Sequence, residues 1–438
     1  MKKLLIRLAR LALFFAGIYV LVYLGNTFLV QLDTVAYMTM KDMRERDDIE
    51  LALVGSSIVQ RHLNPALITE ETGLQAFDVT MTNLSPAGAI PLTKELYRHN
   101  SPDYTVLVVE SYTFDTVKED IQTQMKLMPL LTSPVDRARY VADVAGMDGR
   151  YMDRILLFRS FGFESADDVI KALRLRLDTE RYFAGVTESW KGEMAYSDGF
   201  LRHNKMESIE RELRETFIRQ ETGYYYEIFD YTKEKLLEYK ALVEANGSEL
   251  IVVALPALTI HALAEPGVLP YLDSAAAFFR ENDIPFYNLM YAREELLPLL
   301  DAHYYDLYHM VGDGADLLSA AFSRVINGHI AGEDMSGWFW HNRWQYVDSI
   351  DFITNVWFTR EDGEDGTVTL TADCNRGTHV TAEYRYVLRG EDGSETLLRD
   401  YDTEPVFTAD AQALAGGTLR IYGRVQGESD ALWYEIPE

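Results

Sequence analysis

Cysteine is almost absent from this chain. Its 438 residues include a single one, Cys374, so no disulfide can form within the chain. A lone cysteine has no Cys-x-x-Cys partner, which excludes cysteine-based zinc ribbons and dithiol redox motifs. We therefore predict that Cys374 is a small buried residue. The hydrophobic content of 47% is enough for two packed cores, and the length predicts two globular units with additional segments.

Basic residues are also scarce. Lys and Arg number 41 against 69 Asp and Glu, which gives a formal net charge of −28. Four basic residues, Lys2, Lys3, Arg7 and Arg10, lie in the first 32 residues, where there is no acid, so the remainder is more acidic still. Such a field repels nucleic acid and anionic lipid headgroups, and it is typical of an exposed, highly soluble domain. We predict no nucleic-acid partner.

Residues 11–32 contain no charged residue. As a helix rising about 1.5 Å per residue, this stretch would span roughly 33 Å, the thickness of a bilayer core. Basic residues precede it and Asp33 follows it, so the positive-inside tendency predicts a cytoplasmic N-terminus and an extracytoplasmic remainder. A cleavable signal peptide is the alternative, but the run is long and no small-x-small cleavage site follows it. We predict an uncleaved single-pass anchor in the cell membrane over residues 1–32.

Apolar runs alternate with helical stretches between residues 49 and 330, after a polar segment at 33–48 that we interpret as a juxtamembrane helix or stalk. The runs are near-continuous in apolar character, which predicts strands buried on both faces: IELALV, AFDVTM, YTVLVVE, ELIVVALP and IPFYNLM. Strands separated by helices predict an α/β fold with a parallel, doubly wound sheet. A long insertion at about 112–223 has mainly helical patterns, and we interpret it as a helical cap over one end of the sheet.

The pattern changes to strict alternation from about residue 340 to 438, with turn signals such as EDGEDG, GEDGS and AGG. Runs such as TVTLTAD and TLRIYGRVQG predict a small accessory β-sandwich of immunoglobulin or fibronectin type. The junction before it contains Trp338, Trp340, His341 and Trp344. Stacking on sugar rings and packing between domains both explain these aromatic residues.

Two short motifs place catalytic residue types at informative positions. Gly55-Ser56-Ser57 follows the first predicted strand, and in an open α/β sheet a polar residue beyond a strand's carboxyl end faces the ligand crevice. Asp306 and His309 lie on a predicted loop before the last helix of the same region. That spacing lets the carboxylate accept a hydrogen bond from His309 Nδ1–H while Nε2 points towards a serine, the arrangement that activates a serine nucleophile.

In this order and setting, the two motifs resemble those of the SGNH (GDSL-like) hydrolase superfamily, over about residues 49–328. The segments GSSIVQRHLNP and DVTMTNLSPAGA add to the likeness. The chain is most similar to the Gly-Ser-Ser branch, which includes the D-alanine transfer protein of teichoic-acid modification and related cell-envelope acyl-transfer proteins. The resemblance implies a flavodoxin-like three-layer fold. It also implies a triad of Ser57 as nucleophile, Asp306 as acid and His309 as general base, with Ser56 at the aspartate position of the commoner motif.

The resemblance further implies an oxyanion hole, a set of donors that stabilise the developing alkoxide. The first donor is the backbone N–H of Ser57, and the second lies after the second strand, where Asn83, Ser85 and Gly88 are candidates. The third, an asparagine in Gly-x-Asn-Asp after the next strand, is missing, because the chain has Val-Glu-Ser-Tyr-Thr there; Ser111 is a substitute candidate. This departure favours the acyl-transfer branch over a free-standing hydrolase.

Other chemistries find less support in the sequence. Glu110 with Asp115 would suit a glycosidase carboxylate pair, but sequence cannot give their separation. His303 and His309 are accompanied by neither His-Glu-x-x-His nor an acid-rich ligand set, so we predict no catalytic metal and no cofactor. The α/β-hydrolase elbow Gly-x-Ser-x-Gly is not met, because Val59 stands in place of its last glycine.

Three functions fit these observations. The first, which we favour, is ping-pong transfer of an acyl group through Ser57 to hydroxyls of a cell-envelope polysaccharide or polymer. For this function the resemblance implies a multipass membrane-bound O-acyltransferase as the partner that supplies the acyl group. The second is an O-acyl or O-acetyl esterase that uses the same triad with water as acceptor. The third is a surface-anchored glycan-binding or scaffold protein whose triad is vestigial and whose β-sandwich binds.

Overall fold

The computed structural model of the chain describes residues 2–29, 33–110, 126–148, 165–190, 192–203, 227–264, 267–353, 356–390, 392–429 and 431–435. The chain divides into two compact units. The first comprises Met1–Lys205 with Phe229–Val253, and the second comprises Met206–Ile228 with Ala254–Glu438.

The first unit contains an apolar N-terminal helix, a sheet with its connecting helices, and an inserted group of helices with a hairpin. In chain order its elements are α1 (Lys2–Leu29), α2 (Thr34–Glu45), β1 (Leu51–Gly55), α3 (Ser57–His62), α4 (Pro65–Thr72), β2 (Ala76–Thr80), α5 (Pro86–Leu96), β3 (Tyr104–Val109), α6 (Pro134–Asp148), α7 (Ala166–Leu177), α8 (Thr179–Ser189), β4 (Met194–Ser197), β5 (Phe200–His203), α9 (Asp230–Ala245) and β6 (Glu249–Ala254).

Helix α1 is long and apolar enough to cross a membrane, as the uncharged run predicts. Large apolar side chains on it are exposed, among them Leu13 and Leu21. An apolar surface of this kind is stable in a lipid environment and costly in water. The helix is therefore the element through which the chain would be anchored.

Helix α2 occupies the segment that we interpreted as a juxtamembrane helix or stalk. Its N-cap is Asp33, whose carboxylate accepts a hydrogen bond from the Ala36 N–H at 2.9 Å. Met40 and Met43 on this helix are fully buried. The segment is therefore a packed helix of the first unit rather than an exposed stalk.

The strands of the first unit are hydrogen-bonded in the order β2-β1-β3-β6, and β1 pairs in parallel with both β2 and β3. All residues of β1 and β2 are buried, as continuous apolar runs predict for strands covered on both faces. The parallel sheet is thus confirmed, and its order matches the first four strands of the flavodoxin-like arrangement, with β4 and β5 as an insertion. The order reverses between β1 and β3, which places the expected ligand crevice at the carboxyl ends of these two strands.

Local signals account for the helix ends. Helix α5 begins at Pro86 because the Ser85 side chain caps it and proline is favoured in the first turn of a helix. Helix α9 ends where the Asn246-Gly247 pair predicts, and Gly247 has a φ of 80°, a conformation that favours glycine.

The long insertion contains α6, α7 and α8, which agrees with its helical patterns, and the hairpin β4-β5, which we did not predict. The hairpin turn lies against the edge of the sheet, because the Asp198 carbonyl accepts a hydrogen bond from the Asp78 N–H of β2 at 3.0 Å. Covering an edge strand in this way blocks pairing with other chains. The remaining residues at 111–125, 149–164, 191 and 204–226 lie outside the described residues, and the cap stays a prediction.

The second unit contains the remaining α/β elements followed by antiparallel strands. Its elements are α10 (Thr259–Ala264), α11 (Val268–Glu281), β7 (Phe286–Asn288), α12 (Gly312–Ala331), α13 (Arg343–Asp348), β8 (Val356–Asp362), β9 (Thr367–Cys374), β10 (Ala382–Arg389), β11 (Glu395–Asp402), β12 (Val406–Asp410), β13 (Thr418–Val425) and β14 (Leu432–Glu435).

The C-terminal strands form two antiparallel sheets, β11-β10-β13-β14 and β12-β9-β8, consistent with the predicted β-sandwich. Both sheets contribute to one core, in which Phe358 and Leu370 from the β12-β9-β8 sheet lie with Tyr386 and Ile421 from the β11-β10-β13-β14 sheet. Cys374 belongs to this core and is 6% exposed, which confirms the burial predicted for it. The strands begin at β8 rather than near residue 340, because α13 and its flanking turns occupy the junction.

Candidate active site

Ser57 lies at the start of α3, directly after β1, at the carboxyl end of the sheet where the strand order reverses. Ser56 is the N-cap residue of α3, and its hydroxyl accepts a hydrogen bond from the Ile58 N–H at 3.1 Å. The capping role of Ser56 fixes the turn on which Ser57 is carried. The position predicted for the nucleophile is therefore a tightly held strand-to-helix turn.

Gly55 is required by this turn. A Cβ added at Gly55 would overlap the Cγ2 of Val59 and would lie 3.2 Å from the Cβ of Val108. Helix α3 therefore approaches the end of β1 so closely that only glycine fits. The requirement for glycine at this position of the Gly-Ser-Ser motif is therefore steric. A larger residue would displace the turn that carries Ser57.

Glu110 contacts Ser56. The Ser56 hydroxyl donates a short hydrogen bond to Glu110 Oε1, and Ser56 itself is 2% exposed. Glu110 follows β3, so the bond joins the ends of the two strands on either side of the switch point. The sequence suggests Glu110 only as one half of a glycosidase carboxylate pair. Its partner here is instead the capping serine next to the predicted nucleophile.

The three candidates for the second oxyanion donor differ in how they are used. The Gly88 N–H donates to the Ser85 carbonyl at 2.9 Å and to the Ser85 hydroxyl at 3.2 Å, so it caps α5. Ser85 is fully buried in that cap. Asn83 is half-buried on the loop before α5, with a φ of 51°. The structure thus uses the Gly88 N–H and the Ser85 hydroxyl in the cap of α5, and the identity of the second oxyanion donor stays a prediction.

Asp306 and His309 form a hydrogen-bonded dyad in the second unit. His309 Nδ1 lies 2.8 Å from Asp306 Oδ2 and 3.1 Å from Oδ1. The Asp306 carboxylate also accepts from the backbone N–H groups of Tyr308 at 2.8 Å and His309 at 2.7 Å. With Nδ1 engaged by the carboxylate, Nε2 is the ring nitrogen through which a serine nucleophile would exchange its proton. The Asp-x-x-His spacing produces the contact expected of it.

The loop that carries the dyad is closed by the backbone. Tyr304 and Met310 form an antiparallel bridge, and the Tyr305 N–H donates to the His309 carbonyl at 3.0 Å. Burial alone would raise the pKa of Asp306, but the bonds from the His309 ring and from the backbone outweigh it and hold that pKa below its ordinary value. Asp306 therefore stays ionised and can stabilise a protonated His309.

Aromatic rings surround His309. The Tyr305 ring is stacked on it at a centroid distance of 5.8 Å, and the Tyr308 ring lies edge-on at 6.5 Å. His261 packs against Tyr308 at 4.8 Å, and burial lowers the pKa of His261 to about 4. His261 is therefore neutral at physiological pH and serves as part of the wall. These rings restrict the orientation of His309, which favours proton transfer at a fixed position.

The structure brings Asp306 and His309 together in one unit, and it places Ser57 in the other. Ser111, the substitute proposed for the third oxyanion donor, and Asp115 lie outside the described residues. His303 is separate from the dyad in its bonding, since its Nδ1 accepts from the Leu300 N–H at 2.9 Å. Within the described ranges no three His, Cys, Asp or Glu side chains are grouped as a metal site.

The aromatic junction is fixed to the α/β part of the second unit. The Arg293 N–H donates to the Trp338 carbonyl and the Trp340 N–H to the Tyr291 carbonyl, both at 2.8 Å. Arg293 also stacks on the Trp340 ring at 4.1 Å. Trp344, in contrast, is 68% exposed. Packing thus explains the position of the junction backbone, whereas the exposed Trp344 side chain could still contact a ligand.

Comparisons with known proteins give a structural neighbour but no sequence family. No family model matches the chain, and no curated protein matches it. Among solved structures the chain is similar to a GDSL-like lipase from Bacteroides thetaiotaomicron, with 10% identity and a TM-score of 0.30, over 68% of this chain and all of that one. A TM-score this low does not assign a fold, so the α/β architecture rests on the strand order and pairing described above.

Proposed function

We propose that the chain is a serine acyl-transfer enzyme with an SGNH-like α/β region, in which Ser57, His309 and Asp306 act as the catalytic triad. The observation that carries the proposal is the Asp306–His309 hydrogen bond through Nδ1. It is supported by the place of Ser57, on a tight turn at the switch point of the sheet, where open α/β folds bind their ligands.

The proposed reaction has two half-reactions. His309 Nε2 takes the proton from the Ser57 hydroxyl as Oγ attacks the acyl carbonyl, and the proton then passes to the leaving group. An acyl-Ser57 ester remains. The acceptor hydroxyl next attacks this ester while His309 takes the hydroxyl proton. The bond between the acyl group and Ser57 Oγ then breaks, and His309 returns the proton to Oγ. Asp306 holds the imidazole orientation and offsets the positive charge that develops on His309 in each half-reaction.

The acceptor proposed is a hydroxyl of a cell-envelope polysaccharide or related polymer. The asparagine that ordinary SGNH hydrolases carry after the third strand is replaced by Glu110-Ser111, which supports a partnered transferase over a free hydrolase. An O-acyl or O-acetyl esterase is the second candidate, because the same dyad and serine would serve water equally well. A non-catalytic glycan-binding scaffold is the third, and it is favoured by the exposed Trp344 of the aromatic junction.

Anchoring through α1 completes the proposal. A cytoplasmic N-terminus and an extracytoplasmic catalytic region follow from the basic residues before the apolar run. A membrane-bound O-acyltransferase with several spans would then supply the acyl group from across the membrane. The acyl group would then reach Ser57 at the outer surface of the membrane.

Labelling with a fluorophosphonate probe tests the triad, because the probe reacts only with an activated serine. We expect the wild type to be labelled, Ser57→Ala to be unlabelled and His309→Ala to be labelled at least about a hundredfold more slowly. Ser101→Ala, at an exposed loop, is the matched control and should be labelled like the wild type. Unlabelled wild type, or undiminished labelling of Ser57→Ala, would contradict both the acyltransferase and the esterase function.

Acceptor dependence separates transferase from esterase. Release of acetate from p-nitrophenyl acetate or an acetylated sugar without an acceptor would favour the esterase. A stable acyl-Ser57 adduct, seen by mass spectrometry and discharged only when a glycan is added, would favour transfer.

A further inference from the structure

A groove of about 380 Å³ lies in the second unit, apart in sequence from the proposed dyad. Aromatic residues line it, including Phe286 and Tyr287 from β7 and Phe339 and Trp340 from the junction. Glu333 and Asp334 are exposed at its rim. We call it the aromatic groove. Its size falls within the roughly 300–1,000 Å³ typical of ligand sites.

The walls of the aromatic groove are held in place by specific contacts. Ala292 and Phe339 form an antiparallel bridge between its two sides. The Tyr287 hydroxyl lies 2.8 Å from His329 Nδ1, and the Trp340 ring is covered by Arg293 at 4.1 Å. A ligand would therefore meet rings that are already oriented, and little side-chain entropy would be lost on binding.

Three of the residues that line the groove are acidic: Asp273, Glu333 and Asp334. Asp334 accepts a hydrogen bond from the Ser336 N–H at 3.0 Å, and bonds from Ser336 hold the pKa of Asp334 below its ordinary value, so the carboxylate is ionised at neutral pH. Asp273 also lines the groove, where it accepts from the Tyr291 hydroxyl at 2.9 Å. No Lys or Arg is among the described residues that line it, although Arg343 pairs with Asp273 at 3.7 Å and Arg293 stacks on Trp340 at 4.1 Å. Glu333 and Asp334 remain as exposed negative charges at the rim, and they disfavour an anionic ligand.

We propose that the aromatic groove binds uncharged sugar residues of the acceptor glycan. A sugar ring presents flat C–H faces, which pack on aromatic rings, and peripheral hydroxyls, which donate to carboxylates in charge-assisted hydrogen bonds. A groove with an aromatic floor and an acidic rim satisfies both requirements and disfavours phosphate- or carboxylate-bearing polymers. The proposal rests on the proposed function and narrows its substrate class to glycans without negative charge.

Binding measured without catalysis tests this proposal. We would use full-length Ser57→Ala in lipid nanodiscs, which avoids sugar-headgroup detergents, and titrate it with chitotetraose, cellotetraose and tetragalacturonic acid by calorimetry. We expect one of the two uncharged tetrasaccharides to bind and the anionic one not to bind. Trp340→Ala should weaken binding roughly tenfold, the upper end of what an aromatic contact is worth, and Trp340→Phe should weaken it less.

Trp344→Ala is the matched control, because Trp344 is an exposed tryptophan of the same junction that does not line the groove. It should bind as the Ser57→Ala parent does, and circular dichroism should show every variant folded. The proposal is overturned if neither uncharged probe binds, if tetragalacturonic acid binds as well as they do, or if Trp340→Ala and Trp344→Ala are indistinguishable. Every protein in this binding experiment carries Ser57→Ala, so the result does not depend on fluorophosphonate labelling. A wrong assignment of the groove can therefore be distinguished from a wrong assignment of the triad.

Discussion

Ser56 and Glu110 connect the ends of β1 and β3 beside the proposed nucleophile. Glu110 follows β3, and the hydroxyl of Ser56 donates a hydrogen bond to its carboxylate. A carboxylate from the end of the neighbouring strand therefore lies next to the turn that carries Ser57.

A double-mutant cycle tests this arrangement. Ser56→Asp would set a second carboxylate against Glu110, and repulsion at hydrogen-bond distance should slow labelling of Ser57, more at pH 8 than at pH 5. Glu110→Gln in the same chain should restore much of the rate, with a coupling on the order of 1–3 kcal/mol. The labelling rates of the wild type, the two single variants and the double variant across this pH range measure the coupling. Simple additivity of the two changes would show that the contact has no influence on Ser57.

Asp306 can be neutralised without a change of size. Asp306→Asn should slow acylation of Ser57 on the order of a thousandfold, because it removes the charge that stabilises protonated His309 and disturbs the tautomer. Burst kinetics with p-nitrophenyl acetate measure the rate. Asp313→Asn, a substitution in the first turn of the nearby helix α12, is the control and should leave the rate within about twofold of the wild type.

Two buried carboxyls in the first unit have opposite environments. Glu95 in α5 is fully buried, and it accepts hydrogen bonds from Arg44, Arg98 and Thr132. Burial would raise its pKa, but the bonds from Thr132 and Arg44 hold that pKa below its ordinary value. Asp78 in β2 is equally buried, yet neither carboxylate oxygen has a hydrogen-bond partner among the described residues, so burial raises its pKa well above the ordinary value.

Glu95→Gln should destabilise the protein by about 2 kcal/mol at neutral pH, because it removes the buried charge that accepts hydrogen bonds from Arg44 and Arg98. A carboxyl with a depressed folded-state pKa stabilises the fold above its unfolded pKa of about 4.3 and loses that effect as pH falls through the folded value. The difference between variant and wild type should therefore shrink below about pH 4. Urea unfolding from pH 3.5 to 8 measures it.

Asp78→Asn should change the free energy of unfolding at neutral pH in the opposite direction and stabilise the protein. A carboxyl with a raised folded-state pKa keeps its full contribution below its unfolded pKa of about 3.9 and loses it as pH rises. The variant should thus match the wild type near pH 3.5 and be more stable by about 1–2 kcal/mol at pH 7. A variant less stable than the wild type at pH 7 would contradict the assignment.

Taken as a whole, the molecule combines an apolar helix with a strongly acidic remainder. Its single cysteine makes its orientation measurable, because Cys374 is buried in the sandwich core and burial raises the pKa of its thiol. The folded wild type should therefore be almost unreactive towards maleimide.

Substituted cysteines can then report the two sides of the membrane. Ser101→Cys should react with a membrane-impermeant maleimide in intact cells, whereas Lys2→Cys should react only after the cells are permeabilised. The wild type is the blank. The reverse pattern would contradict the proposed orientation, and release of the protein into the soluble fraction would show that α1 is cleaved.

Much of the fold follows from local patterns. The five apolar runs of the α/β region each contain a strand, and Asn246-Gly247 marks the end of α9. The hairpin β4-β5 was missed because its four-residue strands are too short to show a period. The burial of α2 was missed because its apolar residues, such as Met40 and Met43, are interspersed with charges and show their common face only in the folded helix.

What the sequence by itself determined is the set of contacts that close within a few residues. The Asp306–His309 hydrogen bond is one of these, since a carboxylate three residues before a histidine reaches its Nδ1 within one tight loop. The Ser56–Glu110 contact, the bonds from Arg44 and Thr132 to Glu95 and the walls of the aromatic groove were decided only by the tertiary structure. Each joins residues that are tens of positions apart, and no local period signals such pairs before the sheet and helices have packed.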